Sequence, residues 1–93
     1  MSVYVIGQIR ITDQEKWNDY KSQVQSTLEL YGGKVLLRGS KTDSFVGETS
    51  YPDVVAIEFD SAEKAKEWYS SAAYQRLVPI RENGVEIILH MYE

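Results

Sequence analysis

The sequence predicts an α+β sandwich of order βαββαβ, with one four-stranded antiparallel sheet and both helices on one of its faces, formed by residues 1–93 as a single domain. Three observations lead there. Val3 to Ile11 alternates apolar and mixed positions in the manner of a strand. A run with apolar residues at steps of three and four follows it, as an amphipathic helix requires. A second strand and helix pattern then begins at Asp53 and closes on an apolar run at Val85 to Tyr92.

In the first strand the odd positions are Val3, Val5, Gly7, Ile9 and Ile11, and the even ones are Tyr4, Ile6, Gln8 and Arg10. Thr12 and Asp13 offer capping oxygens, and Thr12 with Glu15 has capping-box spacing. Trp17, Tyr20, Val24, Leu28 and Tyr31 then mark the buried stripe of the first helix. Gly32 supplies the positive φ that commonly ends a helix, and Gly33 lets the chain reverse. The second strand runs from Lys34 to about Ser40 with Val35 and Leu37 inward, and Gly39 suggests a bulge before "TDSFVG" continues it to a hairpin loop at "ETSYPD". Asp53 to Phe59 is the third strand, with Val55, Ile57 and Phe59 on one face. Asp60 or Ser61 caps the second helix, which carries Ala62, Ala65, Trp68, Tyr69 and Ala72. A shorter helical piece continues from Ala73 to Arg81, bent or ended by Pro79. Asn83-Gly84 is read as a turn into the last strand, Val85 to Tyr92.

Two split βαβ units of this kind fold into a ferredoxin-like sandwich of strand order 4-1-3-2. The helices would cover Val3, Val5, Ile9, Val35, Leu37, Val55, Ile57, Phe59, Val85, Ile87, Leu89 and Met91. The opposite face would present Tyr4, Ile6, Leu36, Val54, Ile88 and Tyr92 among Gln8, Arg38, Glu58 and His90, which is too apolar for a sheet face in water. A second copy of the same surface is the simplest cover.

Counted by alternation, Arg38 falls on that uncovered face, with Glu58 as its neighbour across the hairpin and His90 beside Ile6. Enclosed by a partner, Gln8, Arg38, Glu58 and His90 with the rings of Tyr4 and Tyr92 would form a small-molecule pocket. A satisfied Arg38–Glu58 ion pair accounts for the same residues without a ligand. His90, the only histidine, suits a general acid or base by its ordinary pKa and equally an exposed strand position.

Composition removes several classes of function. The formal charge is -4 with no basic run, so neither nucleic acid nor an anionic membrane is an expected partner. There is no cysteine, which excludes disulfides and thiol chemistry, and one histidine without an acidic cluster argues against a transition-metal site. No P-loop, G-x-G-x-x-G or G-x-S-x-G occurs, and no cofactor is predicted. "MSVYVIGQIR" carries no basic leader and reads as a strand, so a cytoplasmic location is the expectation.

Four segments in order, "YVIGQIRITD", "YGGKVLLRG", "VVAIEFDS" and "WYSSAAYQRLVPIR", resemble the family catalogued as domain of unknown function 1330, within the dimeric α+β barrel group. The resemblance spans nearly the whole chain. It implies a ferredoxin-like subunit that pairs sheet to sheet as a dimeric α+β barrel, with no settled activity. Relatives in the wider group include cofactor-free monooxygenases, lactone isomerases and haem enzymes, so a fold-level analogy points several ways. Gln8, Arg38, Glu58, Tyr74 and Arg81 fall within the matching motifs with no role assigned to them. The expected function is a homodimeric small-molecule-binding protein or enzyme; the alternatives are a structural or regulatory dimerisation module, and a cofactor-free monooxygenase or isomerase of the barrel type.

Overall fold

The computed structural model describes residues 1–93. Its elements are β1 (Val3–Ile11), α1 (Gln14–Glu29), β2 (Lys34–Ser40), β3 (Asp53–Phe59), α2 (Ala62–Ser70), α3 (Ala72–Gln75), α4 (Val78–Gly84) and β4 (Val85–Tyr92). The strands form one antiparallel sheet in the order β2-β3-β1-β4, the expected ferredoxin-like order read from the other edge. The molecule measures 34 × 31 × 15 Å, a slab with the thickness of a sheet and a single helical layer. No helix is long and apolar enough to cross a membrane.

Local chemistry accounts for the helix ends. The Asp13 carboxylate accepts from the Lys16 N–H at 3.2 Å to cap α1, and Ser61 Oγ accepts from the Lys64 N–H at 3.2 Å to cap α2. Gly32 adopts φ +74, and the Gly33 N–H reaches back to the Leu28 carbonyl at 2.9 Å. Burial then follows the odd positions of β1 and β3. Val3, Val5, Ile9, Val55, Ile57 and Phe59 pack beneath Trp17, Tyr20, Val24, Leu28, Trp68 and Tyr74.

Three expectations require correction. The first is the most consequential: the bulge in β2 lies at Leu36 and not at Gly39. Val35 pairs with Ile57, but the next paired residue is Leu37, opposite Ala56, and Arg38 lies opposite Val55. Because side chains alternate with period two, one extra residue exchanges the faces of everything beyond it. Leu37 therefore moves to the uncovered face, where it is 51% exposed, and Arg38 takes its place on the helix side. "VLL" holds three consecutive apolar residues, so alternation alone could not show which of them was extra.

Second, β2 ends at Ser40, and residues 41–52 form a loop closed by the Lys41 N–H to the Pro52 carbonyl at 2.7 Å; "TDSFVG" does not continue the strand. Third, Pro79 sits in the first turn of α4, where its missing N–H costs nothing, and Asn83-Gly84 is the end of that helix. The Gly84 carbonyl accepts from the Thr12 and Asp13 N–H groups at 2.9 and 3.0 Å, tying the end of α4 to the start of α1.

Candidate functional site

The uncovered face carries five of the six residues singled out from the sequence. Tyr4, Glu58 and Tyr92 share one row across the sheet with Lys34, since Glu58 pairs with both Tyr4 and Lys34 and Tyr4 pairs with Tyr92. His90 lies opposite Ile6, and Gln8 lies between Val54 and Ile88. Arg38 is not among them. The expected Arg38–Glu58 pair does not form, because the Leu36 bulge puts Arg38 opposite Val55 and leaves Lys34 opposite Glu58. His90 is exposed, and its ring meets Tyr92 edge-on at 6.4 Å.

Turned inward, Arg38 stands at the mouth of a cleft between α1 and the ends of β1, β2 and β3. The cleft has a volume of about 350 Å³ and is lined by Ile9, Gln14, Trp17, Lys21, Arg38 and Asp53 among others. Trp17 and Arg38 also line a void of about 20 Å³ deeper between the layers, walled by Tyr20, Val55 and Leu89. That is room for one water-sized atom. The floor of this region is the row Arg38, Val55, Gly7 and Leu89. Gly7 has no side chain to add there, and a Cβ on it would come within 2.8 Å of Val55 Cγ1. Arg38 stays exposed at that mouth, and partial burial of its guanidinium lowers its pKa against an opposing pull from the Tyr20 phenol.

Behind the void lies a buried polar cluster. Tyr20 projects from the apolar stripe of α1, stacked on Trp17 at 5.3 Å, and its hydroxyl is 2.9 Å from the hydroxyl of Tyr74 on α3. Arg81 Nη1 of α4 donates to Tyr74 Oη at 2.8 Å. Arg81 is 8% exposed, Tyr74 is fully buried, and Arg81 Nε–H has no acceptor. Burial works against the Arg81 charge, but the Tyr74 and Tyr69 phenols together outweigh it and hold the pKa above the ordinary arginine value. Burial also drives the Tyr20 pKa far above that of a free tyrosine, assisted by Tyr74. The only ion pair in the molecule is the exposed Arg10–Glu86 pair, so neither Arg38 nor Arg81 has a carboxylate partner.

A second groove, of about 360 Å³, runs between α2 and the β4 edge beneath Trp68, Tyr69, Leu89 and Met91. Its polar groups are Lys66 and His90, both exposed. It offers apolar walls without convergent polar recognition, which the Arg38 cleft does offer. No group of three or more His, Cys, Asp or Glu is placed to hold a metal ion.

Residues 2–92 match the domain of unknown function DUF1330. The chain belongs to the DUF1330 family. No curated protein matches it. Among solved structures, a protein of unknown function from Rhodopseudomonas palustris superimposes with a TM-score of 0.84 at 18% identity, over 97% of this chain and 79% of that one. SnoaB, a cofactor-independent oxygenase from Streptomyces nogalater, gives a TM-score of 0.70 at 4% identity, over 99% of this chain and 91% of that one. A dimeric protein of unknown function with a ferredoxin-like fold from Bacteroides fragilis gives 0.63 at 18% identity, over 99% and 95%. At these identities the likeness establishes the ferredoxin-like fold of this DUF1330 chain and leaves its chemistry to the site.

The Tyr20, Tyr74 and Arg81 cluster was not singled out as a site from the sequence. Tyr20 reads as one more member of an apolar stripe, although its hydroxyl is a polar tip that needs a partner when buried. Arg81 lies in a helix of seven residues, too short for periodicity to assign a face.

Proposed function

We propose that this DUF1330 protein is a homodimeric small-molecule-binding protein, with residues 1–93 acting as one domain. Its ligand enters the cleft between α1 and the sheet at Arg38. The observation that carries this reading is the inward turn of Arg38, which puts a cation without a carboxylate partner at the mouth of a cleft of ligand size. Dimerisation uses the uncovered face. Leu36, Leu37, Val54 and Tyr92 are between 36% and 52% exposed there, while Ile6 and Ile88 lie half-buried beside them. Phe45 and Val46 in the loop 41–52, each 95% exposed, extend the apolar surface that a partner would cover. Gln8, Glu58, His90, Tyr4 and Tyr92 then belong to the dimer contact, and Arg38 to the ligand.

A reaction on the bound molecule is the second reading. A neighbour of the same fold is described as a cofactor-independent oxygenase.

Native mass spectrometry of the full chain after incubation with a cell metabolite extract tests the proposal. The expected result is a dimer retaining one small molecule per subunit, and an Arg38→Met dimer that retains none. A dimer without adducts in both proteins would instead support a structural or regulatory module.

A further inference from the structure

The hydrogen bonds of the buried cluster do not balance. Tyr20 and Tyr74 share one hydrogen bond at 2.9 Å, and the Tyr74 oxygen also accepts from Arg81 Nη1 at 2.8 Å. Two phenols carry two O–H protons, so one of them has no protein acceptor. Arg81 Nε–H has none either, on a side chain more than nine-tenths buried. Buried donors are almost always matched, and a buried guanidinium normally meets a carboxylate. Here the missing element is an acceptor. Tyr20 and Arg38 both border the 20 Å³ void, which holds one oxygen-sized atom, and the 350 Å³ cleft beyond it has room for an organic body.

We infer that Arg38 and Tyr20, the latter held by Tyr74 and Arg81 behind it, form a site for an anionic oxygen, carboxylate or enolate, borne by a small molecule whose apolar body lies in the cleft against Trp17 and Ile9. The inference rests on the interlayer binding reading and adds the ligand class. Charge and donor count select an anion: Arg38, without a carboxylate partner, and the Tyr20 hydroxyl border the void, and the Tyr20–Tyr74 pair carries one O–H more than it can accept, so an acceptor-only group satisfies donors that a neutral amide would leave in excess. Asp53 and Lys21 at the outer end of the cleft offset one another in charge, so they do not reverse this preference.

The test compares benzoate with benzamide, which share a ring and differ in charge, by calorimetric titration of the full chain with parallel NMR of the Arg38 Nε–H and Trp17 indole resonances. Benzoate is expected to bind, to move both resonances, and to bind about tenfold or more weakly to Arg38→Met and to Tyr20→Phe. Benzamide is expected to bind at least about tenfold more weakly than benzoate. Equal binding of the two compounds, with the Trp17 resonance moving, would overturn the anion site and leave the interlayer cleft standing. If neither compound moves either resonance, the anion site and the cleft both fall. Circular dichroism and dimer mass confirm the fold of each variant. Should Tyr20→Phe fail to fold, Arg38→Met with the benzoate and benzamide pair decides alone.

Discussion

Changing Tyr74→Phe removes one oxygen from the centre of the helical layer and keeps the ring. The ring's contacts with Trp68 at 4.3 Å and Tyr69 at 5.3 Å persist, so the effect isolates the polar cluster. Arg81 loses its acceptor at 2.8 Å and Tyr20 its partner at 2.9 Å, both in buried surroundings. A bond to a charged donor contributes about 1.5–3 kcal/mol and a neutral one about 1 kcal/mol, so the variant should lose about 3 kcal/mol. A domain of this size has roughly 5–14 kcal/mol in all, and the loss corresponds to a Tm lower by roughly 12–24 °C. Urea unfolding followed by circular dichroism measures it. Adding Arg81→Met should restore most of the loss tied to the charge, since a charged donor that has lost its partner costs more than an apolar side chain of similar volume. A single variant within about 0.5 kcal/mol of wild type, or a double variant worse than the single, would refute the cluster as described.

Tyr20 has its pKa raised by burial, so the stability it contributes is complete below the ordinary tyrosine pKa of about 10 and is lost as pH rises above it. Unfolding free energies from urea titrations between about pH 9 and 11.5 should fall up to ~1.4 kcal/mol per pH unit more steeply in wild type than in Tyr20→Phe; equal slopes would mean that Tyr20 is not buried as described. Ile6→Asp or Ile88→Asp places an unpaired carboxylate on the uncovered face, and light scattering should report a monomer for either variant and, for wild type, the proposed dimer with about 800 Å² buried per partner. Two variants that remain dimeric would move the interface elsewhere. Gly7→Ala brings a methyl within 2.8 Å of Val55 and should cost about 1–3 kcal/mol, read from the urea midpoint; a neutral result would mean that the floor of the cleft is looser than its geometry.

The architecture was legible because each of its signals is local and redundant. Alternation in β1 and β3, the stripe of Trp17, Tyr20, Val24 and Leu28, and the caps at Asp13 and Ser61 all point to the same elements. The placement of Arg38 was not legible, because a bulge on an edge strand inverts the count and three adjacent apolar residues conceal where it falls. The same slip separated Arg38 from Glu58 and put it on the side of the sheet that faces the helices. Tyr74 and Arg81 lie on short helices, where helical period carries little information, and only the packing of α4 onto the start of α1 brings them to Tyr20.

Everything proposed for the site depends on which way Arg38 points. A carbon-edited NOESY spectrum of the full chain reads this directly. Cross-peaks from the Arg38 side chain to the rings of Trp17 and Tyr20 are the predicted result, since these three residues line the same void. Cross-peaks to Ile6 and Glu58 in their place would put Arg38 back on the uncovered face and contradict the account.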